Sequence, residues 1–254
     1  MESEVSEQRW KIAQQSEEEF WEGYTTGSLL AESGKRYPEK AEILLKEWSA
    51  FVKITKNAKI LQIGCGPEDV INYFKIGKLY SIDPLADFYK KKFKLDYKKT
   101  NLKKAAGEEI PFSDNYFDIV ILVNVLDHVH LPDKVLKEIK RVMKPNAIFH
   151  FENYTYQTPF IYLAEFYGRL KEISKGEIFN IHHPYMFTIK NLRNLVSNNF
   201  SIIKEEIGRD IGLYDNLGQL KEKVKHHKKL RRRMLARIGL LGTINYSCLC
   251  KISE

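Results

Sequence analysis

Apolar positions before Lys59 recur at helical spacing, whereas after it they come in short runs that alternate with amphipathic stretches. In PEKAEILLKEWSAFV (38–52), Ile43, Leu44, Trp48, Phe51 and Val52 share a helical pattern, and the preceding SEEEFWEGY is also expected to be helical. The runs AKILQI (58–63), KLYSI (78–82), a weak one near 101–106, FDIVILV (117–123) and NAIFHF (146–151) then predict strands. Helices are expected from Pro67, over PLADFYKKKF (84–93) and over PDKVLKEIKRVM (132–143). Such alternation implies a mostly parallel sheet with ligands beyond the carboxyl ends of its strands. After Phe151 it lapses into an aromatic-rich stretch, 152–187, followed by a helix (187–199), a strand (200–207) and a last strand, INYSCLCKI (244–252). The two closing strands predict an antiparallel pair at one sheet edge.

The chain has 254 residues and 43% hydrophobic content, enough for one large α/β domain with insertions. Its N-terminus, MESEVSEQRW, is polar and acidic, and no apolar run reaches the roughly 18 residues of a membrane span, so a cytoplasmic protein without a transmembrane segment is expected. Cys65, Cys248 and Cys250 have no metal or disulfide spacing and read as reduced core thiols. The +8 net charge is concentrated in QLKEKVKHHKKLRRRMLARI (219–238), which holds nine Lys or Arg against the single acid Glu222. That segment reads either as a solvated helix docked by its apolar positions or as a contact for RNA or an anionic surface.

The most informative stretch is KILQIGCGPEDVINYF (59–74). Gly64 and Gly66 permit a sharp turn after a strand, and Pro67 favours a helix start. Asp83 follows Gly64 by 19 positions at the end of the second predicted strand, where an acid can accept both hydroxyls of a ribose. Glu68 and Asp69 would repel a pyrophosphate at the helix N-terminus, so the expected ligand is a nucleoside without phosphates and with positive charge. S-adenosylmethionine, a sulfonium with an ammonium group, meets both conditions.

Residues 58–207 also resemble the class I S-adenosylmethionine-dependent methyltransferases, in particular the type 11 group. The resemblance is carried by ILQIGCGP (60–67), YSIDP (80–84), GEEIPFSDNYFDIVILVNVLDHV (107–129), LPDKVLKEIKRVMKPNAIFHF (131–151) and HPYMFTIKNL (183–192). It implies a Rossmann-like, doubly wound α/β fold whose seven-stranded sheet is mostly parallel with an antiparallel last strand. The expected organisation is an N-terminal helical extension (1–56) and a methyltransferase domain (57–254) carrying a lid insert (152–187) and a basic insert (208–243).

By position, the resemblance assigns Gln62, Gly64, Cys65, Gly66, Asp83, Pro84, Gly107, Glu108, Glu109 and Asn124 to the cofactor. The chain departs from the family where Gln62 replaces a common acid, Glu68 a third glycine, and Ala106 an Asp that meets the adenine. Methyl transfer is an in-line displacement in which a base is optional. Asp127 and His128 are the candidate catalytic residues, Tyr154, His182 and His183 the candidate substrate contacts, and Glu152 a further acid near the strand ends. The absence of an Asn-Pro-Pro-Tyr type motif after Asn124 and of a cysteine placed as nucleophile favours a small or lipidic acceptor methylated on O or N. Two alternatives stay open: an RNA-directed enzyme using 219–238, and a non-catalytic cofactor-binding protein.

Overall fold

The computed structural model describes residues 5–175, 183–208 and 243–253. The basic segment 219–238, most of the proposed insert 208–243, and His182 lie outside them. Two N-terminal helices, α1 (Glu7–Glu22) and α2 (Thr26–Trp48), precede an alternating body. The body runs β1 (Lys59–Ile63), β2 (Lys78–Asp83), α3 (Ala86–Lys92), β3 (Lys103–Lys104), β4 (Phe117–Val123), α4 (Pro132–Val142) and β5 (Met143–Thr155). It closes with α5 (Thr158–Lys175), α6 (Ile189–Ser197), β6 (Phe200–Ile207) and β7 (Ile244–Ile252).

The seven strands form one sheet ordered β3-β2-β1-β4-β5-β7-β6. The first five are parallel neighbours, and β7 is inserted antiparallel between β5 and β6. The doubly wound expectation and the antiparallel final pairing therefore hold. Because the chain moves outward from β1 to β3 and then returns to β4, the strand order reverses between β1 and β4, where such sheets bind ligands.

β1 and β4 are mostly apolar on both faces because both faces of the sheet are covered. Leu61, Ile63, Val120 and Leu122 pack on one face with Val135, Leu136 and Ile139 of α4. Ile60, Ile119 and Ile121 pack on the other with Ala41, Leu44 and Trp48 of α2.

That second face explains one correction. The helix expected from Pro67 is only a 3-10 turn, Val70–Tyr73. Val70, Ile71 and Phe74 wedge into the layer that α2 already occupies, so the N-terminal helix takes the place of a crossover helix. α2 itself begins at Thr26 and passes through Pro38, where the sequence pattern placed its start. Thr25 and Ser28 form a capping box at its N-terminus, and its buried positions lie on both sides of the proline, so packing outweighs the lost hydrogen bond.

Candidate active site

Beyond the ends of β1, β2 and β4 lies a cavity of about 280 Å³. The turn after β1 forms one wall. Gly64 and Gly66 have φ of 63° and 57°, a left-handed backbone that side chains disfavour. A Cβ on Gly64 would also lie 2.4 Å from Cγ2 of Val125, so this glycine lets the loop after β4 close on the turn. The buried Asp83 stands at the end of β2, where its carboxylate accepts from the Gly66 amide at 3.0 Å and the Leu85 amide at 2.8 Å. Burial pushes its pKa up to about 6 against the pull of those two bonds.

Of the residues assigned to the cofactor, Gly64, Cys65, Gly66, Asp83, Pro84, Gly107, Glu108 and Asn124 line the cavity, whereas Gln62 and Glu109 do not. Gln62 is fully buried behind the wall, with its Nε2 donating to Asp69 Oδ2 at 2.5 Å and its Oε1 accepting from the Ile71 amide at 3.3 Å. It braces Asp69, which does line the cavity and whose carboxyl is pushed up to about 6 by burial. The two acids of this turn do not stand at the mouth of a regular helix. Asp69 caps the short 3-10 turn through the Val70 amide, and Glu68 accepts from Asn72 at 2.6 Å. The Cys65 thiol is buried, and burial raises its pKa well above the usual range.

The N-terminal helices supply walls that sequence reasoning missed. Trp10, Gln14, Glu17 and Trp21 of α1 and Arg36, Tyr37 and Lys40 of α2 all line the cavity. The α1 set recurs every three or four residues, a single helical face, and that spacing was the available signal. Trp10 Nε1 and Gln14 Nε2 donate to the His128 carbonyl at 3.2 and 3.4 Å, while the Val5 amide donates to the Tyr185 hydroxyl at 3.1 Å. Lys40 of α2 places its ammonium on both oxygens of the buried Glu152 at 3.2 and 2.9 Å, holding that carboxyl down at about 2 despite burial. Glu152, a candidate base from sequence, is thus committed to an ion pair.

On the opposite side, Asn124 adopts φ of 53°; its amide donates to the Glu152 carbonyl and its Oδ1 accepts from the Tyr154 amide, fixing the β4 and β5 ends together. His128 and Tyr154 line the cavity, while Asp127 is buried just behind. Asp127 Oδ2 lies 2.7 Å from His183 Nδ1, and the His128 and His183 rings are 4.4 Å apart. Burial opposes charge on Asp127, but the positive potential of His128 and the His183 hydrogen bond outweigh it and lower its pKa. Burial likewise disfavours the His183 cation, yet the bond to Asp127 raises its pKa overall. Of the aromatics in 152–187, Tyr154 reaches the cavity, Tyr185 and Phe187 are buried, and Tyr162, Phe166 and Tyr167 of α5 are exposed.

Part of the chain is similar to known proteins. The model of the "Methyltransferase domain" family matches residues 61–151. Over residues 61–151 the chain is similar to that methyltransferase family. The Thiol S-methyltransferase TMT1B of Rattus norvegicus is 28% identical over 135 residues, 50% of this chain and 55% of its own length. The chain therefore spans about half the length of the curated relatives it matches. In fold, it resembles the PH0226 protein of Pyrococcus horikoshii OT3, with TM-score 0.53 at 19% identity over 92% of this chain and 99% of that one. A SAM dependent methyltransferase from Aquifex aeolicus aligns with TM-score 0.50 at 17% identity over 86% and 90% of the two chains. The matched methyltransferase segment runs from β1 to β5, so it contains the glycine turn, Asp83 and His128 but neither α1 nor His183.

Proposed function

We propose that the chain is a methyltransferase that binds S-adenosylmethionine in the 280 Å³ cavity and methylates a small nucleophilic acceptor entering beside His128. The observation that carries this reading is the Asp83 carboxylate, fixed by the Gly66 and Leu85 amides with its remaining acceptor capacity available for ribose hydroxyls. The lining fits the cofactor: Gly64 and Gly66 keep the wall free of side chains, and Glu17, Asp69 and Asp83 give an environment suited to a cation and hostile to a pyrophosphate. Gly107 and Glu108 flank the adenine in this reading, and the glycine turn holds the methionyl part. When bound, the cofactor supplies an electrophilic methyl group on sulfur.

The chain's own contribution is placement and exclusion of water. α1 covers the cavity through Trp10 and Gln14, and Asn124, His128 and Tyr154 define the approach from the β4 side. A site roofed by two helices suits a small acceptor. The thiol named for the rat relative extends the acceptor classes worth testing beyond the oxygen and nitrogen nucleophiles expected from sequence. Among the described residues no helix is long and apolar enough to cross a membrane. The test is transfer of an isotopically labelled methyl group to a panel of small thiols, phenols and amines, followed by mass spectrometry. Label on at least one acceptor supports the reading; cofactor binding without transfer to any of them, or to RNA, returns the chain to the non-catalytic alternative.

A further inference from the structure

Behind the acceptor edge, Asp127, His128 and His183 bring one ligand atom each to within 4.8 Å of one another, the one such trio among the described residues. Asp127 is 3% exposed, and only its Oδ2 has a hydrogen-bond partner, His183 Nδ1. Its other oxygen, Oδ1, is buried without one. His128 Nε2 stands 4.0 Å from Oδ1, too far for a hydrogen bond. A proton between Asp127 and His183 serves one ring and leaves Oδ1 and His128 unserved, whereas a cation among the three serves all of them.

We infer that Asp127, His128 and His183 form a three-ligand site for a nitrogen-preferring divalent cation of the Zn²⁺ type, bordering the cavity through His128. Two imidazoles and one carboxylate suit Zn²⁺ or Co²⁺ rather than Mg²⁺ or Ca²⁺, which take mostly oxygen ligands. Ligand atoms on a tetrahedral ion with bonds of about 2.1 Å lie roughly 3.4 Å apart, so the trio needs only small side-chain rotations to close on one. Glu17 Oε2 lies 3.9 Å from His128 Nδ1, a carboxylate near the ring's other nitrogen. Three protein ligands leave the remaining coordination positions for the acceptor side. The inference deepens the methyltransferase reading and rests on it for its role: a cation here selects small acceptors with an ionisable O–H or S–H.

The test is a Co²⁺ titration of the full chain after chelator treatment, read by visible d–d absorption. One equivalent is expected to give the intense bands of a low-coordinate site, and azide, as an exchangeable ligand, is expected to shift them. His183→Ala and His128→Gln should each weaken binding at least about 100-fold, since loss of even an outer-sphere partner costs about 10- to 100-fold. The double variant His226→Ala/His227→Ala, in the basic segment, should leave the spectrum unchanged. Circular dichroism and S-adenosylmethionine titration of each variant separate loss of the cation from loss of fold and from failure of the cofactor reading. Absent bands, bands insensitive to azide, bands that survive His183→Ala in a folded chain, or bands lost with His226 and His227 would each overturn the assignment.

Discussion

The Asp83 side of the cavity is made from one contiguous stretch, Gly64 to Leu85, whereas the Asp127 side joins Trp10 to His128 across 118 residues and Asp127 to His183 across 56. The first side is rigid by local means: a left-handed glycine turn, amides on a carboxylate, and parallel strands buried on both faces. The second depends on how α1, the β4 end and the segment before α6 come together. In the proposed reading, the cofactor side and the acceptor side therefore share a cavity while being specified at different ranges of sequence.

Lys40 tests the junction of the two sides most severely, because it ties α2 to the Glu152 end of β5 in a buried pair. Lys40→Met removes the cation from that carboxylate, leaving the Asn245 amide on Oε1, and should cost about 3–5 kcal/mol in denaturant unfolding, with most of the loss recovered in Lys40→Met/Glu152→Met. An unchanged midpoint would mean that α2 is not fastened to the sheet in this way. On the Asp83 side, Gly64→Ala adds a left-handed alanine and a clash with Val125, and about 2–4 kcal/mol of destabilisation is expected.

These local constraints are also why one side was legible in the sequence and the other was not. The strands, the glycine turn and Asp83 are encoded by apolar runs and short spacings, so the sequence alone locates them. The segment VINYF after Pro67 fits a helix or a 3-10 turn equally well, and α2, arriving from elsewhere in the chain, decides between them. Gln62 shares the strand-end pattern of cavity residues, yet its side chain turns inward to hold Asp69. Trp10 and Gln14 show only an amphipathic face, which specifies that something is covered without saying what. The approach of Asp127 to His183 is a property of the folded topology that no local spacing records.

Protonation gives a finer contrast between the sides. In the proposed binding mode the Asp83 carboxyl, raised by burial to about 6, must be ionised to accept two hydroxyls, so the deprotonated form is the one that binds. As pH falls through that value the acceptor is lost, and affinity for S-adenosylmethionine should be flat above about pH 7 and decline by up to roughly tenfold per unit below about 6. Calorimetry across that range checks it; a decline beginning only near pH 4 would mean that burial does not raise the Asp83 pKa, and no decline at all would mean that the carboxylate does not carry the ribose. The smallest effect belongs to the roof. Trp10→Ala removes one hydrogen bond to the His128 carbonyl and an aromatic wall, so acceptor KM should rise about tenfold with less than about threefold change in cofactor affinity. Equal losses for both ligands would show that α1 serves the whole cavity rather than its acceptor side.

The central claim is tested most directly by calorimetric titration of the wild-type chain and Asp83→Ala with S-adenosylmethionine and S-adenosylhomocysteine. Wild type is predicted to bind both with one site per chain, and Asp83→Ala to remain folded while losing at least about 100-fold in affinity, the equivalent of two hydrogen bonds to a charged acceptor. Binding of neither compound by the folded wild-type chain, or equal binding by Asp83→Ala, would contradict it.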